Sequence, residues 1–213
     1  MSTKSSKLFA AMAVAVLVAL LPTISQAGSL SSFFGSAYPG TTGTGVYNNG
    51  GGLSGSVEYA VFTKNSYDSL FTGSSVTVNP GELAYVYQIL NSGSDFVSQN
   101  AQLGINTSAV GIGSATIDGG AGEVSPSAAT LNPGINAVWE FTPAANNIPS
   151  GGRSSALVVT STNLPNSTAV QIILNGGGTA FTMAIVPGDI PVPEPTSLVL
   201  LLGGVAFLAR WRR

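Results

Sequence analysis

Cysteine and histidine are both absent from this chain of 213 residues, and charged residues make up only 8% of it. Without cysteine there is no disulfide and no thiolate to serve as nucleophile or metal ligand. Without histidine the usual general base of serine and cysteine hydrolases is missing, and most zinc-binding sets are closed as well. Cations are scarcer than the total suggests. Between Gly28 and Asp189 the basic residues are Lys64 and Arg153, against Glu58, Asp68, Glu82, Asp95, Asp118, Glu123, Glu140 and Asp189, so two against eight leaves a net charge of −6. The remaining basic residues lie in the two ends. A body this poor in Lys and Arg argues against nucleic acid or an anionic lipid surface as partner, because both need clustered cations. Helix formers are thin too, and no segment of the body carries a sustained 3.6-residue apolar stripe.

What the chain does have is concentrated first at its ends. Lys4 and Lys7 precede an apolar run from Leu8 to Leu21, and Ser25-Gln26-Ala27 is a small-x-small sequence. This is the pattern of a secretory signal peptide cut after Ala27, so residues 1–27 are set aside from the fold. The run is shorter than the ~20 residues of a free-standing spanning helix. At the other end, Val192 to Pro195 make a stiff extended segment with one carboxylate, Glu194, because each proline fixes φ and biases its predecessor toward extended geometry. An apolar stretch from Leu198 to Ala209 follows, with Leu202, Gly203 and Gly204 inside it, and then Arg210, Trp211, Arg212 and Arg213. A short hydrophobic helix from Thr196 to Trp211 would measure roughly 24 Å against ~30 Å of hydrocarbon. Such a span suits transient retention, with Trp211 at the headgroups and the arginines on the cytoplasmic side.

The Pro193-Glu194-Pro195-Thr196 motif, the leucine- and glycine-rich segment and the terminal arginine cluster, in that order, resemble the PEP-CTERM sorting domain. Thr196 stands where that family often has serine. The resemblance covers residues 190–213 and leaves the body untouched. It implies a Gram-negative bacterium that makes exopolysaccharide. It also implies a membrane-embedded exosortase, a cysteine transpeptidase, that recognises the tail and cleaves it on the outer side of the inner membrane. A plain C-terminal membrane anchor on a proline-rich stalk is the alternative.

The body between these ends is long enough for one domain with its own core. Period-two apolar segments recur along it: Val57-Tyr59-Val61, Leu83-Tyr85-Tyr87-Ile89, Leu103-Ile105, Val138 to Phe141, Leu157 to Thr160, Val170-Ile172-Leu174 and Phe181-Met183-Ile185. Nearly all are bounded by Gly, Asn, Pro or Ser clusters. The expectation is an all-β fold over residues 56–189, an antiparallel β-sandwich of Ig-like or jelly-roll-like kind. Residues 28–55, rich in Gly, Thr, Asn and Ser, read as a flexible lead-in or long loop. Val78-Asn79-Pro80-Gly81 and Leu131-Asn132-Pro133-Gly134 repeat one device before two strands, since Pro-Gly fits the centre of a type II turn. Asn175-Gly176-Gly177-Gly178 reads as the last hairpin.

No residue pattern in the body identifies a catalytic centre, a cofactor or a metal. Glu58, Glu82, Asp118, Glu123 and Glu140 are the carboxylates from which a glycosidase pair would have to come, and they are spread singly along the chain. The loop from Asp118 to Glu123 lacks the alternating ligands of a calcium loop and reads as an acidic turn. Asn106-Thr107-Ser108 and Asn166-Ser167-Thr168 fit the N-glycosylation pattern and in a bacterial chain read as chance matches. Tyr85, Tyr87 and Trp139 are the candidate contacts for a glycan, although a tyrosine face of this kind is more often core with its hydroxyls at a rim. Three function classes follow: a non-enzymatic structural or interaction protein of the cell envelope or extracellular matrix, associated with exopolysaccharide; a carbohydrate-binding or adhesive module; and a carboxylate-dependent hydrolase. The first needs no special residues.

Overall fold

Alternation along the sequence becomes strand pairing in the computed structural model, which describes residues 28–191 apart from 98–99, 105–108, 118–121, 133–134, 167–169 and 176–177. The signal peptide, the sorting tail beyond Pro191, Ile105, the Asn106 glycosylation pattern and the Pro133-Gly134 pair lie outside the described residues. The strands are β1 (Gly43–Asn48), β2 (Ser54–Thr63), β3 (Leu83–Asn91), β4 (Asn100–Gly104), β5 (Ala109–Ala115), β6 (Glu123–Val124), β7 (Ala128–Asn132), β8 (Asn136–Glu140), β9 (Arg153–Ser154), β10 (Ala156–Ser161), β11 (Asn163–Pro165), β12 (Val170–Asn175), β13 (Thr179–Ala184) and β14 (Pro187–Pro191). One sheet runs β1-β2-β3-β10-β5, with β9 on the end of β3 and β6 paired parallel to β9. The other runs β13-β12-β4-β8-β7, and β11 pairs with β14 in a separate ribbon. The fold is an antiparallel all-β sandwich.

The core between the sheets takes Val57, Val61, Leu83, Tyr85, Tyr87, Ile89, Leu157 and Val159 from the first sheet, and Leu103, Trp139 and Leu174 from the second. These are the alternating positions that the sequence marks. Their neighbours are buried as well, so β10 is covered on both faces along its length and β3 along nearly all of it. The cause is a third layer on the outer face of the first sheet. Ala60, Phe62, Ala84, Val86 and Val158 meet Leu30, Tyr67, Phe71 and Val78 there. Phe71 lies at its centre, with ring centroids 5.7 Å from Phe33, 5.2 Å from Phe62 and 4.9 Å from Tyr67.

Two short helices build that layer, and neither is announced by a stripe in the sequence. The 3-10 helix Leu30–Ser36 seats Leu30 in the layer. Helix α1 (Lys64–Leu70) starts at Thr63, whose hydroxyl accepts the Ser66 N–H, and places Tyr67 and Phe71 one turn apart on the buried side. Two turns are too few to register as a period.

The lead-in reading of residues 28–55 is corrected by the structure. Residues 30–36 are helical and 43–48 form β1, paired along its whole length with β2. Backbone pairing and a few anchors (Leu30, Tyr47, Leu53) order this stretch in spite of its composition. A second correction concerns β13. Ala180, Thr182 and Ala184 face the core, while Phe181 and Met183 are half exposed on the outer face. The reason is the seam with β1: a Cβ on Gly45 would run into the Thr182 hydroxyl and come within 2.6 Å of the Met183 carbonyl oxygen. Only small residues fit on the inner side of so close an approach.

The two Asn-Pro-Gly turns close alike. Glu82 N–H donates to Asn79 O at 3.1 Å, with Gly81 at a φ of 85°, and Ile135 N–H donates to Asn132 O at 3.0 Å. Beta12 and β13 are joined as the hairpin expected at residues 175–178.

Candidate functional site

The sorting residues Pro193, Glu194 and Pro195, the membrane segment from Leu198 to Ala209, the arginines and Ala27 all lie outside the described residues. Among the described residues no helix is long and apolar enough to cross a membrane. What the structure does place is the chain on either side of the folded body. At the start, the Gly28 carbonyl accepts from Gln88 Nε2 at 2.9 Å, and Leu30 N–H donates to Gln88 Oε1 at 2.9 Å. The Ser29 hydroxyl and Ser31 N–H both donate to Glu58 Oε2, at 2.7 and 2.9 Å. Gln88 is fully buried and Glu58 nearly so. Two polar side chains inside the sheet face are therefore satisfied by residues 28–31. At the finish, Asn163 Nδ2 donates to Gly188 O at 2.6 Å and β11 pairs with β14 as far as Pro191. Prolines are tolerated there because the ribbon is an edge.

The three aromatics assigned to a glycan are not at the surface. Tyr85 and Trp139 are completely buried and Tyr87 is 1% exposed. Trp139 Nε1–H donates to Gly113 O at 2.8 Å, crossing from one sheet to the other. Tyr85 and Tyr87 hydroxyls donate at 2.7 Å to the carbonyls of Asn163 and Ile185, and Tyr47 donates to Leu90 O at 3.0 Å. Every polar tip is spent on backbone. Burial raises the phenol pKa of Tyr47, Tyr85 and Tyr87. For Tyr85 and Tyr87 the signal was in the sequence, since both lie on the apolar strand β3.

Of the described carboxylates, Glu58, Glu82 and Glu123 are each held by different donors. Glu58 is held as described; Glu82 accepts from Asn79 N and Nδ2 at 3.0 and 2.9 Å. Glu123 accepts from Ile117 N with both oxygens at 3.1 Å, and Glu140 is exposed. Asp118 lies outside the described residues. Among the described residues no group of three His, Cys, Asp or Glu side chains converges.

Clefts open on the surface of the described residues, and two of them bear on function. One, of about 270 Å³, has Tyr38, Thr41, Leu164, Pro165, Asn166 and Ile185 around it and carries no charge. The other, of about 200 Å³, is lined by Ser56, Leu90, Asn91, Ser92, the Gly151-Gly152 turn and Arg153. Arg153 is half-buried there, paired in register with Leu90 on one side and Glu123 on the other. The sequence shows Arg153 as one of two cations in the body, with nothing to place it in a cleft. The other, Lys64, is bound to Asp68 one turn along α1. No protein-family model, curated protein or solved structure matches the chain.

Proposed function

We propose that this chain is an exported, non-enzymatic structural or interaction protein of the bacterial cell envelope or extracellular matrix, associated with exopolysaccharide. A leader cut after Ala27 directs export. The tail from Ile190 to Arg213 holds the protein at the inner membrane until an exosortase processes it near Pro193-Glu194-Pro195. The body is then left at the cell surface or released.

One observation carries this reading. Residues 28–31, directly after the small-x-small site, are bound to Gln88 and Glu58 of the sheet, and β14 pairs with β11 as far as Pro191, two residues before the Pro-Glu-Pro motif. In the sequence the two signals lie on either side of this body. Three residues from Pro191 to Glu194 span at most about 10 Å, so the motif is presented close beside the folded domain. The inward-facing Tyr85, Tyr87 and Trp139 and the separately held carboxylates fit a passive body better than a hydrolase.

Mass spectrometry of the exported protein tests the proposal. The expected species begins at Gly28, ends at or near Pro193–Pro195 and lacks Leu198 to Arg213. Glu194→Ala is expected to leave the precursor in the inner membrane. Recovery of an intact Arg213 terminus from the outer surface rules out processing.

A further inference from the structure

Arg153 differs from the other charges held within the described body. Lys64 has Asp68, and Glu58, Glu82 and Glu123 are each bound by named donors. The Arg153 side chain makes no hydrogen bond or ion pair with a described residue, although the residue is half-buried. Glu123, its in-register neighbour on β6, turns both oxygens to the Ile117 N–H instead. The guanidinium is therefore open to the cleft, its nitrogens free to take an acceptor. Its planar fork of donors matches a carboxylate in two parallel hydrogen bonds.

The surroundings narrow the ligand further. Ser56 and Ser92 line the cleft, and the Ser92 hydroxyl donates to Ser54 O at 3.4 Å and keeps its lone pairs for a ligand. Both N–H groups of the Gly151-Gly152 turn are held, by Asn91 O and Pro149 O. Asn91 shapes the cleft rather than binding in it, because its amide nitrogen is held by the carbonyls of Asp95 and Ile148 and its oxygen by Gly93 N–H. No aromatic ring lines the cleft, and Leu90 is its one apolar side chain. At about 200 Å³ it lies below the usual range of drug-sized pockets and holds one small polar ring. We propose that the Arg153 cleft is a binding site for a single sugar acid, a hexuronate, whose carboxylate pairs with Arg153 and whose hydroxyls meet Ser56 and Ser92. With a net charge of −6 on the body, the rest of the surface repels an acidic polymer. Recognition is therefore confined to one unit at this cleft. The inference does not depend on whether the tail is processed.

The test is a titration of the ¹⁵N-labelled full-length protein in non-ionic detergent with sodium glucuronate, followed at the Arg153 Nε–H resonance. Glucose and N-acetylglutamate serve as comparison ligands. Saturable binding with a Kd on the order of 1 mM is expected for one charge-assisted contact. Arg153→Gln is expected to weaken it at least tenfold, Arg153→Lys to weaken it less, and Ser56→Phe to abolish it by filling the cleft while leaving Arg153 in place. Unchanged melting temperatures in the three variants tie these losses to the site. An equal response to glucose, full binding by Arg153→Gln, or no saturation by glucuronate overturns the proposal. Tighter binding of N-acetylglutamate than of glucuronate overturns the sugar part and points to an acidic peptide.

Discussion

Tyr87 shows how a polar residue becomes part of an apolar core. Its ring lies against Trp139 with centroids 6.1 Å apart, and its hydroxyl reaches the Ile185 carbonyl at the rim. Tyr47 and Tyr85 repeat the arrangement, and Tyr67 does so in the outer layer with Ser74 as partner. Burial disfavours the charged phenolate and raises all four pKa values above the ordinary 10. Because the folded pKa lies above the unfolded one, the stabilisation is complete below about pH 10 and is lost as pH rises from there toward the folded values. The urea midpoint is therefore expected to hold between pH 7 and 9 and to fall steeply above pH 10. Tyr87→Phe is expected to make that fall shallower, at the cost of an unpaired Ile185 carbonyl worth about 1–3 kcal/mol at neutral pH. A midpoint that stays level to pH 11.5 contradicts this account.

At the scale of elements, the seam between β1 and β13 decides which way β13 faces. Gly45→Ala is expected to destabilise by about 1–3 kcal/mol, since its Cβ meets backbone of β13 that cannot move aside. Gly35→Ala is the control: a Cβ there has open space and the change is expected to stay within about 0.5 kcal/mol in the same thermal melt. Equal losses in both variants would remove the seam from the explanation. The same seam marks where sequence reading stops. Leu83, Tyr85, Tyr87 and Ile89 announce an inward face because packing and alternation agree there. Phe181 and Met183 announce one that does not exist, because the space opposite β13 is set by a glycine far away in sequence. Beta1 is illegible for a related reason: its order comes from pairing with β2, while its own apolar residues are Val46 and Tyr47. The ends of the chain are read from local signals and need no tertiary context. The Arg153 cleft assembles residues from β2, β3 and the loop before β9, and no local pattern announces it.

On the scale of the whole molecule, the sheets are not separable units. Beta3 pairs with β2 on one side and with β10, far along the chain, on the other, and the chain passes between sheets from β3 to β4 and from β4 to β5. Trp139 on β8 is tied across the core to Gly113 on β5, and Tyr87 on β3 is tied to Ile185 just beyond β13. Removing either sheet exposes the inner face of the other and breaks these bonds at once. A single cooperative transition follows, as small single-core domains usually show. The full-length protein in non-ionic detergent, carrying Trp211→Phe so that fluorescence reports Trp139 alone, is the sample that tests it. Its emission is expected to red-shift at the same urea concentration at which the far-ultraviolet β signal is lost. Reductant is expected to leave both curves unmoved, because the chain has no cysteine. If Trp139 became solvated well before the β signal fell, the sheets would be coming apart before their strands unpaired, and the bonds across the core would not be what makes this body one unit.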